Sequence, residues 1–542
     1  MKIALAQLNY VIGDFEGNQQ KIIDSINRAK SRKADLVVFA ELAISGYPPR
    51  DFLEFDDFVQ RCNDSVHEIS GYTEGIGVLI GLPTFNPLDK GKNLRNSAAF
   101  LNNGSVESFF HKTLLPNYDV FDEYRYFEPN TSFEILEYKG KKIAVTICED
   151  MWNIDDQYQY LTTPLDELAA FNPDFVVNLS ASPFNYNQPK IRKHILRANI
   201  RRYRLPMVYV NHVGAQTELL FDGNSQVMNA EGKSLLELNY FEEDFGVVDI
   251  DSEQTYEDYP LPDKIESMQK ALQMGVHNYF SKLGFQKAII GLSGGIDSAV
   301  TAVIATEALG KENVYVVLLP SQFSSDHSVS DAEKLARNLG VTYDNIPIEN
   351  IYHNFEETLK PYFKDLPFGL AEENIQARTR GVVLMALSNK FGHILLNTSN
   401  KSEAAVGYGT LYGDMNGGLS VLGDVYKSEV FAMAKYMNRN EEIIPANIIS
   451  KPPSAELRPD QKDSDSLPEY EELDTILFQY IEEHKGPREI IQQGFDKELV
   501  EKTLRMVNLT EYKRHQTPPI LRVSPKAFGM GRRMPIVAKY LV

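Results

Sequence analysis

Six residues near the middle of the chain, Ser293-Gly294-Gly295-Ile296-Asp297-Ser298, restrict its fold more than any other stretch. An apolar run of strand length, residues 288–292, leads into them, and an apolar block of helical length, residues 299–309, leads out. The order is strand, glycine turn, helix start, which predicts a parallel sheet with its ligand at the carboxyl ends of the strands. Two glycines let the backbone turn tightly and aim N–H groups at one point, and the helix N-terminus adds positive potential there. Ser293 and Ser298 can donate hydroxyl hydrogen bonds to a phosphate, and Asp297 can hold a Mg²⁺ that bridges phosphates. An isolated Ser-Gly-Gly would read as an ordinary helix cap; the full run after a buried strand favours the phosphate. A Walker loop is excluded, because the Gly-Lys-Ser at 232–234 has Val227 where the leading glycine is required.

A chain of 542 residues exceeds one core, and two domains of roughly 250 residues suit it. Apolar runs at 36–40, 143–147, 175–179 and 207–211 predict strands of an α/β, layered αββα first domain. A polar, acidic, proline-bearing stretch at 249–264 reads as the linker, which sets the domains at 1–255 and 256–542. Strands near 314–319 and 394–397, with helices over 328–339 and 370–391, then predict a doubly wound parallel sheet. The net charge of −20 argues against nucleic acid as a partner. Two cysteines, Cys62 and Cys148, cannot build a disulfide framework and suit a reducing cytoplasm. The apolar opening is interrupted by Gln7 and Asn9 and followed by Asp14, so it reads as a first buried strand. No apolar run approaches the ~20 residues of a membrane span, so no membrane is expected.

Three reactive residues of the first half stand where an α/β domain gathers catalytic groups. Cys148 directly follows the strand 143–147, Glu41 directly follows 36–40, and Lys112 lies in His111-Lys112-Thr113-Leu114-Leu115-Pro116-Asn117-Tyr118. A thiol near its free pKa of ~8.5 needs a base and a cationic neighbour. Glu41 can take the thiol proton, and Lys112 can stabilise the thiolate and a following oxyanion. Singly, each has a plainer reading: a small buried thiol, a helix cap, a surface charge. Cys62 is read as the first of these.

Together the segments resemble the nitrilase superfamily. Phe39-Ala40-Glu41-Leu42 with Gly46-Tyr47-Pro48, His111-Lys112 with Leu115-Pro116, and Ile147-Cys148-Glu149-Asp150 carry the likeness. It implies a carbon–nitrogen-cleaving triad of Glu41, Lys112 and Cys148. It further implies a second glutamate at Glu123, with Tyr118, Glu149 and Ser182 supporting the amide substrate.

The loop at 293–298 is similar to the pyrophosphate loop of the ATP-pyrophosphatases, which release AMP and pyrophosphate. Over nearly its full length the chain resembles bacterial glutamine-dependent NAD⁺ synthetases. The likeness in the second half runs through Glu372 to Arg378, Asn400-Lys401-Ser402-Glu403, Gly413-Asp414-Met415, Lys451 to Leu457, and Ser524 to Gly529. The resemblance implies an adenine nucleotide alpha-hydrolase type of sheet. It implies glutamine, ATP and nicotinate adenine dinucleotide as substrates, Mg²⁺ as cofactor, and a homo-oligomer built on synthetase-domain dimers. ATP would meet Ser293, Gly294, Gly295, Asp297, Ser298 and Thr398; the dinucleotide would meet Asn374, Arg378, Lys427 and Lys451; Mg²⁺ would sit on Asp297 and Glu403.

Two departures stand out. Ser399 replaces a common glycine in Asn397-Thr398-Ser399-Asn400, and Thr217 stands where an aspartate is often found. Three other readings compete. A ligase of the same type acting on another carboxylate or carbonyl is one. An RNA-modifying enzyme would want a basic surface, and a silent scaffold would not keep Glu41, Lys112, Cys148 and Asp297.

Overall fold

A computed structural model describes the whole chain except residues 156–158, 455, 459–460, 462, 464–466 and 542, and the chain divides into two compact units, Met1–Pro262 and Asp263–Val542. Ala455 of the 451–457 motif, and part of the proline-bearing stretch around it, lie outside the described residues.

The strands of the first unit are β1 (Lys2–Gln7), β2 (Leu36–Val38), β3 (Gly77–Phe85), β4 (Leu94–Asn102), β5 (Ser105–His111), β6 (Leu136–Tyr138), β7 (Lys141–Ile147), β8 (Phe175–Leu179), β9 (Met207–Val210), β10 (Val213–Gln216), β11 (Leu219–Asp222), β12 (Gln226–Met228), β13 (Ser234–Glu237) and β14 (Asp244–Asp249). They form two six-stranded sheets, ordered β14-β1-β2-β3-β4-β5 and β13-β12-β9-β8-β7-β6, with β10 and β11 as a separate hairpin. The two-residue period of a strand sorts the core into layers. In β1, Ile3 and Leu5 join Ile143, Val145, Phe175 and Val177 between the sheets. Ala4 and Ala6, on the opposite face, pack with Ile22 and Ile26 of the helix Phe15–Ser31 and Val66 of the helix Asp56–Ser70. Ala144, Val176 and Met207 do the same for the second sheet, against Leu165, Ile195 and Leu196. The result is the predicted αββα sandwich.

The second unit has a sheet of β15 (Ala288–Gly291), β16 (Val314–Leu318), β17 (Thr342–Asn345), β18 (Ile394–Asn397) and β19 (Leu419–Ser420). All its pairings are parallel, in the order β17-β16-β15-β18-β19. The order reverses between β15 and β18, which opens a crevice at their carboxyl ends. Helices cover both faces: Ile296–Leu309 packs with Lys264–Leu283 and Lys427–Met437, while Leu384 of the helix Leu370–Phe391 joins Ile289, Val317 and Leu395. Among the described residues, no helix is long and apolar enough to cross a membrane.

Candidate functional site

Three segments of the first unit deliver its reactive side chains. Glu41 follows β2, and its backbone lies hard against β3: a Cβ on Gly81 would sit 2.3 Å from the Leu42 nitrogen and 2.6 Å from the Ala40 carbonyl oxygen. Only glycine admits that approach. His212 Nε2 lies 2.6 Å from the Glu41 carbonyl oxygen and fixes the segment from the other side. Lys112 follows β5, its N–H donating to the Asn96 carbonyl at 2.8 Å. Cys148 follows β7 at a positive φ of 42° and opens the short 3₁₀ turn Cys148–Met151. Asp150 holds that turn by accepting the N–H groups of Ile147 at 3.0 Å, Thr113 at 3.0 Å and Leu114 at 2.8 Å.

The side chains meet in a closed polar lattice. Lys112 Nζ donates to Glu41 Oε1 at 2.7 Å and to both Glu123 oxygens, at 2.9 and 2.7 Å. Glu41 Oε2 accepts the Ala181 N–H at 3.0 Å, and Tyr47 donates to Glu123 Oε1 at 2.9 Å. Asn96 Nδ2 bridges the two carboxylates, at 2.7 Å to Glu41 and 3.5 Å to Glu123. Lys112 is 1% exposed, Glu41 0%, Glu123 5% and Cys148 4%. Tyr118 and Tyr160 both donate to Glu149 Oε1, at 2.8 and 3.1 Å. Ser182 is buried; its N–H donates to Asn211 Oδ1 at 2.9 Å and its Oγ accepts from Gln188 at 3.3 Å.

Burial dominates the electrostatics. It pushes the Cys148 thiol well above its ordinary value, reinforced by the Glu41 charge and opposed by Lys112. The thiol is therefore held protonated until a base takes the proton. Burial also lifts Glu123 to about 7 against the pull of Lys112, with the Glu41 charge adding to the rise. For Lys112 burial works downward, and the Glu123 and Glu41 charges outweigh it and keep the ammonium charged. The arrangement provides a nucleophile, a base and a buried cation, which is the equipment for attack on an amide.

The structure brings together Glu41, Lys112, Cys148 and Glu123, as the sequence predicts, and sets Tyr118 and Glu149 beside them. Asn96 and His212 escape sequence reasoning, since each acts on a partner far away in the chain; Tyr160, eleven residues from Glu149, is missed as well. Tyr47 stood in the Gly46-Tyr47-Pro48 motif without a role, and Asn96 left a trace of its own: it stands in a buried strand where an apolar residue is the norm.

In the second unit the loop after β15 carries Gly294 at φ 76°, and a Cβ there would lie 2.2 Å from the Ser328 carbonyl oxygen. Ser293 and Ser298 hold the turn: their hydroxyls are 3.1 Å apart, Ser293 Oγ accepts the Gly295 N–H at 3.1 Å, and Ser298 donates to the Gly295 carbonyl at 3.0 Å. A cavity of about 300 Å³ opens above the crevice, lined by Ser293, Gly295, Asp297, Ser298, Thr398, Glu403, Lys427 and Lys451. Lys427 Nζ binds Asp297 Oδ2 at 2.5 Å and Glu403 at 3.2 Å, and Asn400 donates to Asp297 Oδ1 at 3.0 Å. Burial raises Glu403 to about 8; Lys427 pulls it down, while Asp297 and Asp463 push it up. Negative charge thus exceeds positive around one lysine. Mg²⁺ binds through one or two carboxylates together with substrate phosphates, and the Asp297–Glu403 pair fits that donor set; among the described residues no ready-made cluster of three ligands exists.

Asn374 and Arg378 do not line this cavity. On the helix Leu370–Phe391 the residues facing it are Ala377, Arg380, Gly381 and Leu384, one helical stripe. Arg378, one residue off the stripe, is exposed and donates to the Leu411 carbonyl at 3.2 Å, while Asn374 accepts from Thr410 at 2.7 Å. Arg380, which sequence reasoning passed over, takes the inward place.

Comparison with known proteins agrees with this division. The carbon-nitrogen hydrolase family model matches residues 2–259, and the NAD synthase model matches residues 268–517. A glutamine-dependent NAD(+) synthetase of Synechocystis sp. is 46% identical over 99% of both chains. One from Thermotoga maritima is 41% identical over 100% of this chain and 99% of its own. The solved structure of the glutamine-dependent NAD+ synthetase of Acinetobacter baumannii in complex with ADP is 41% identical, with a TM-score of 0.79 over 99% of this chain and 98% of that one. With likeness of this extent in both halves, the chain belongs to the glutamine-dependent NAD⁺ synthetase family.

Proposed function

We propose that the chain makes NAD⁺ from nicotinate adenine dinucleotide, ATP and glutamine, residues 1–255 hydrolysing glutamine and residues 256–542 carrying out the ligation. The observation that carries this reading is the presence, in one chain, of the buried Glu41–Lys112–Cys148 site and of the glycine loop above β15.

In the first step Glu41 takes the Cys148 proton and the thiolate adds to the side-chain carboxamide of glutamine. Lys112 steadies the charge that develops, and Glu123 holds Lys112 in place. The proton returns to the leaving nitrogen as ammonia departs, leaving a γ-glutamyl thioester. Water, deprotonated by Glu41, then releases glutamate and the thiol. Glu149, gripped by Tyr118 and Tyr160, offers its carboxylate to the substrate ammonium, and Ser182 lies on the substrate side.

In the second unit the carboxylate of the dinucleotide attacks the α-phosphate of ATP and pyrophosphate leaves. Ammonia then displaces AMP from the acyl adenylate, giving the amide. The N–H groups of the loop at 293–298 receive the departing pyrophosphate, and Thr398 contacts the nucleotide. Lys427 and Lys451 supply positive charge as it leaves, and the dinucleotide extends past Asn374 and Arg378. Asp297 and Glu403 would hold Mg²⁺, whose charge offsets that of the phosphates. The chain works as a homo-oligomer built on synthetase-domain dimers. Two unpaired cysteines, one of them the nucleophile, fit a reducing cytoplasm.

Product analysis with nicotinate adenine dinucleotide, ATP and Mg²⁺ tests the reading. Wild type should give NAD⁺ and AMP from either glutamine or ammonium, Cys148→Ala only from ammonium, and Asp297→Ala from neither. A folded wild-type protein that makes no NAD⁺ from either donor would send the search to other carboxylates.

A further inference from the structure

The first unit contains a second cavity, of about 230 Å³, that the catalytic reading does not use. Its polar wall is set by strand alternation. Asn96 of β4 faces Glu41, and its neighbour Arg95 lines the cavity; Lys112 after β5 faces the same site, and its neighbour His111 lines the cavity. The two strands meet here in register, Ser97 opposite His111.

Arg95 is the anomaly. It is 7% exposed, yet its guanidinium has one protein hydrogen bond, from Nε to Asn86 Oδ1 at 3.0 Å, and no carboxylate lies within 4.0 Å of it among the described residues. Arginines this far from solvent are normally paired. Its terminal N–H groups make no protein hydrogen bond among the described residues and open onto the cavity, which has room for an acceptor. Beside it, His111 is held neutral: burial, then the Arg95 charge, depress its pKa to about 4. Its Nδ1 shares a hydrogen bond with Ser97 Oγ at 2.8 Å, which leaves Nε2 without a protein partner among the described residues. The carboxylate in the wall, Asp150, is already engaged by three backbone N–H groups. Glu134 stands exposed at the rim.

We propose that this cavity binds a small organic monocarboxylate, its two oxygens on the Arg95 fork and its apolar body against Phe110, Phe133, Val145 and Leu168. The planar fork of a guanidinium matches a carboxylate in two parallel hydrogen bonds. A single guanidinium matches a single carboxylate, and the second charge of a phosphate dianion would face Asp150 and Glu134 with no further cation in the lining. The lining is mixed, with Phe110, Phe133, Val145 and Leu168 beside the polar groups, and it suits an organic anion better than a bare inorganic ion.

Benzoate and its uncharged isostere benzamide are the probes, titrated into the full chain by calorimetry and by saturation-transfer NMR. Benzoate should bind and benzamide should not. Arg95→Gln should weaken benzoate at least about tenfold, the loss of a charge-assisted pair. Leu168→Phe, which adds bulk to the apolar part of the lining and leaves the guanidinium in place, should weaken it too. That second variant keeps the test alive if Arg95→Gln fails to fold. Equal binding of benzoate and benzamide, absence of benzoate binding at millimolar concentration, or a benzoate affinity that Leu168→Phe leaves unchanged would overturn the assignment. So would sedimentation showing that wild type self-associates through Arg95 and Arg95→Gln does not, because a carboxylate of a second copy would then be the occupant. None of these readouts involves NAD⁺ formation, so the proposal and the reading of the catalytic site can fail separately.

Discussion

The two sites of the chain use similar charges and differ in how far those charges are closed from solvent. In the first unit one lysine, two carboxylates and an asparagine close on one another, with the lysine side chain 0% exposed and its partners 0% and 6%. In the second, a lysine of similar burial faces carboxylates that are each 17% exposed, with Asp463 adding negative charge, above an open cavity. The two sites hold the same count, one lysine and two carboxylates, so what differs is access: the first satisfies its charges among its own buried side chains, and the second leaves them open towards a cavity.

Removing the lysines should separate the two sites most sharply. Lys112→Met leaves two buried carboxylates facing each other, so it should cost about 3–5 kcal/mol of stability along with glutamine hydrolysis. Lys427→Met should cost less, about 1–3 kcal/mol, because its carboxylates are nearer solvent. Calorimetric unfolding in the presence and absence of Mg²⁺ reads both. Mg²⁺ should restore part of the Lys427→Met loss and none of the Lys112→Met loss; the reverse ranking breaks the comparison.

Next in size is Asn96→Ala, which removes the donor between Glu41 and Glu123. We expect kcat/KM for glutamine to fall about 10- to 100-fold, with ammonium-fed synthesis unchanged. Equal loss with both nitrogen donors would mean that Asn96 supports the fold rather than the triad.

The pH dependence of stability sharpens the contrast further. Glu123 and Glu403 are both raised from an ordinary 4.5, to about 7 and about 8, chiefly by burial. Each binds its proton more tightly in the folded chain. The stability this contributes is fully present below pH ~4.5 and is lost as pH rises through the folded value. Glu123→Gln should flatten the part of the decline that ends near pH 7, and Glu403→Gln the part that runs on to about 8. Mg²⁺ should suppress only the second. Melting temperature across pH 4–9 measures all three.

The smallest effect concerns a departure from the family pattern. Thr217 occupies the turn between β10 and β11 at φ 56°, a conformation that asparagine and aspartate tolerate and β-branched residues resist. The aspartate often found there thus has a backbone reason. Thr217→Asn should raise the melting temperature by a few degrees, with glutamine kinetics unchanged. Ser399 differs: it is absent from the positive-φ residues, so its turn does not require the glycine it replaces.

Much of this was legible in the chain because it is local. The helix Leu370–Phe391 was read to the residue because Gly369 and Gly392 bracket it, and β18 because it is a short, mostly apolar run. Glu41 and Cys148 were legible because each closes an apolar run of strand length, and Lys112 through the likeness of its segment. What escaped is carried between strands. Asn96 acts through the pairing of β4 and β5, and no spacing in sequence records that register. Arg380 was passed over because the motif does not show helical phase, which decides which residues of the helix face the crevice and sets Arg380, not Arg378, on that stripe.

The pairing of β1 with β14 carries a consequence for the order of events during synthesis. Lys2 lies opposite Asp249, and Gln7 opposite Asp244, so an inner strand of the first sheet gains one of its two partners only after some 240 further residues have been made. At a ribosomal pace of roughly 5–20 residues per second, β1 waits on the order of 10–50 seconds with that edge open. Over that interval the nascent chain presents an unpaired apolar strand, Ile3 and Leu5 included, to whatever else is nearby. The first unit is closed by its last strand, and until then it depends on the cell to leave that edge alone.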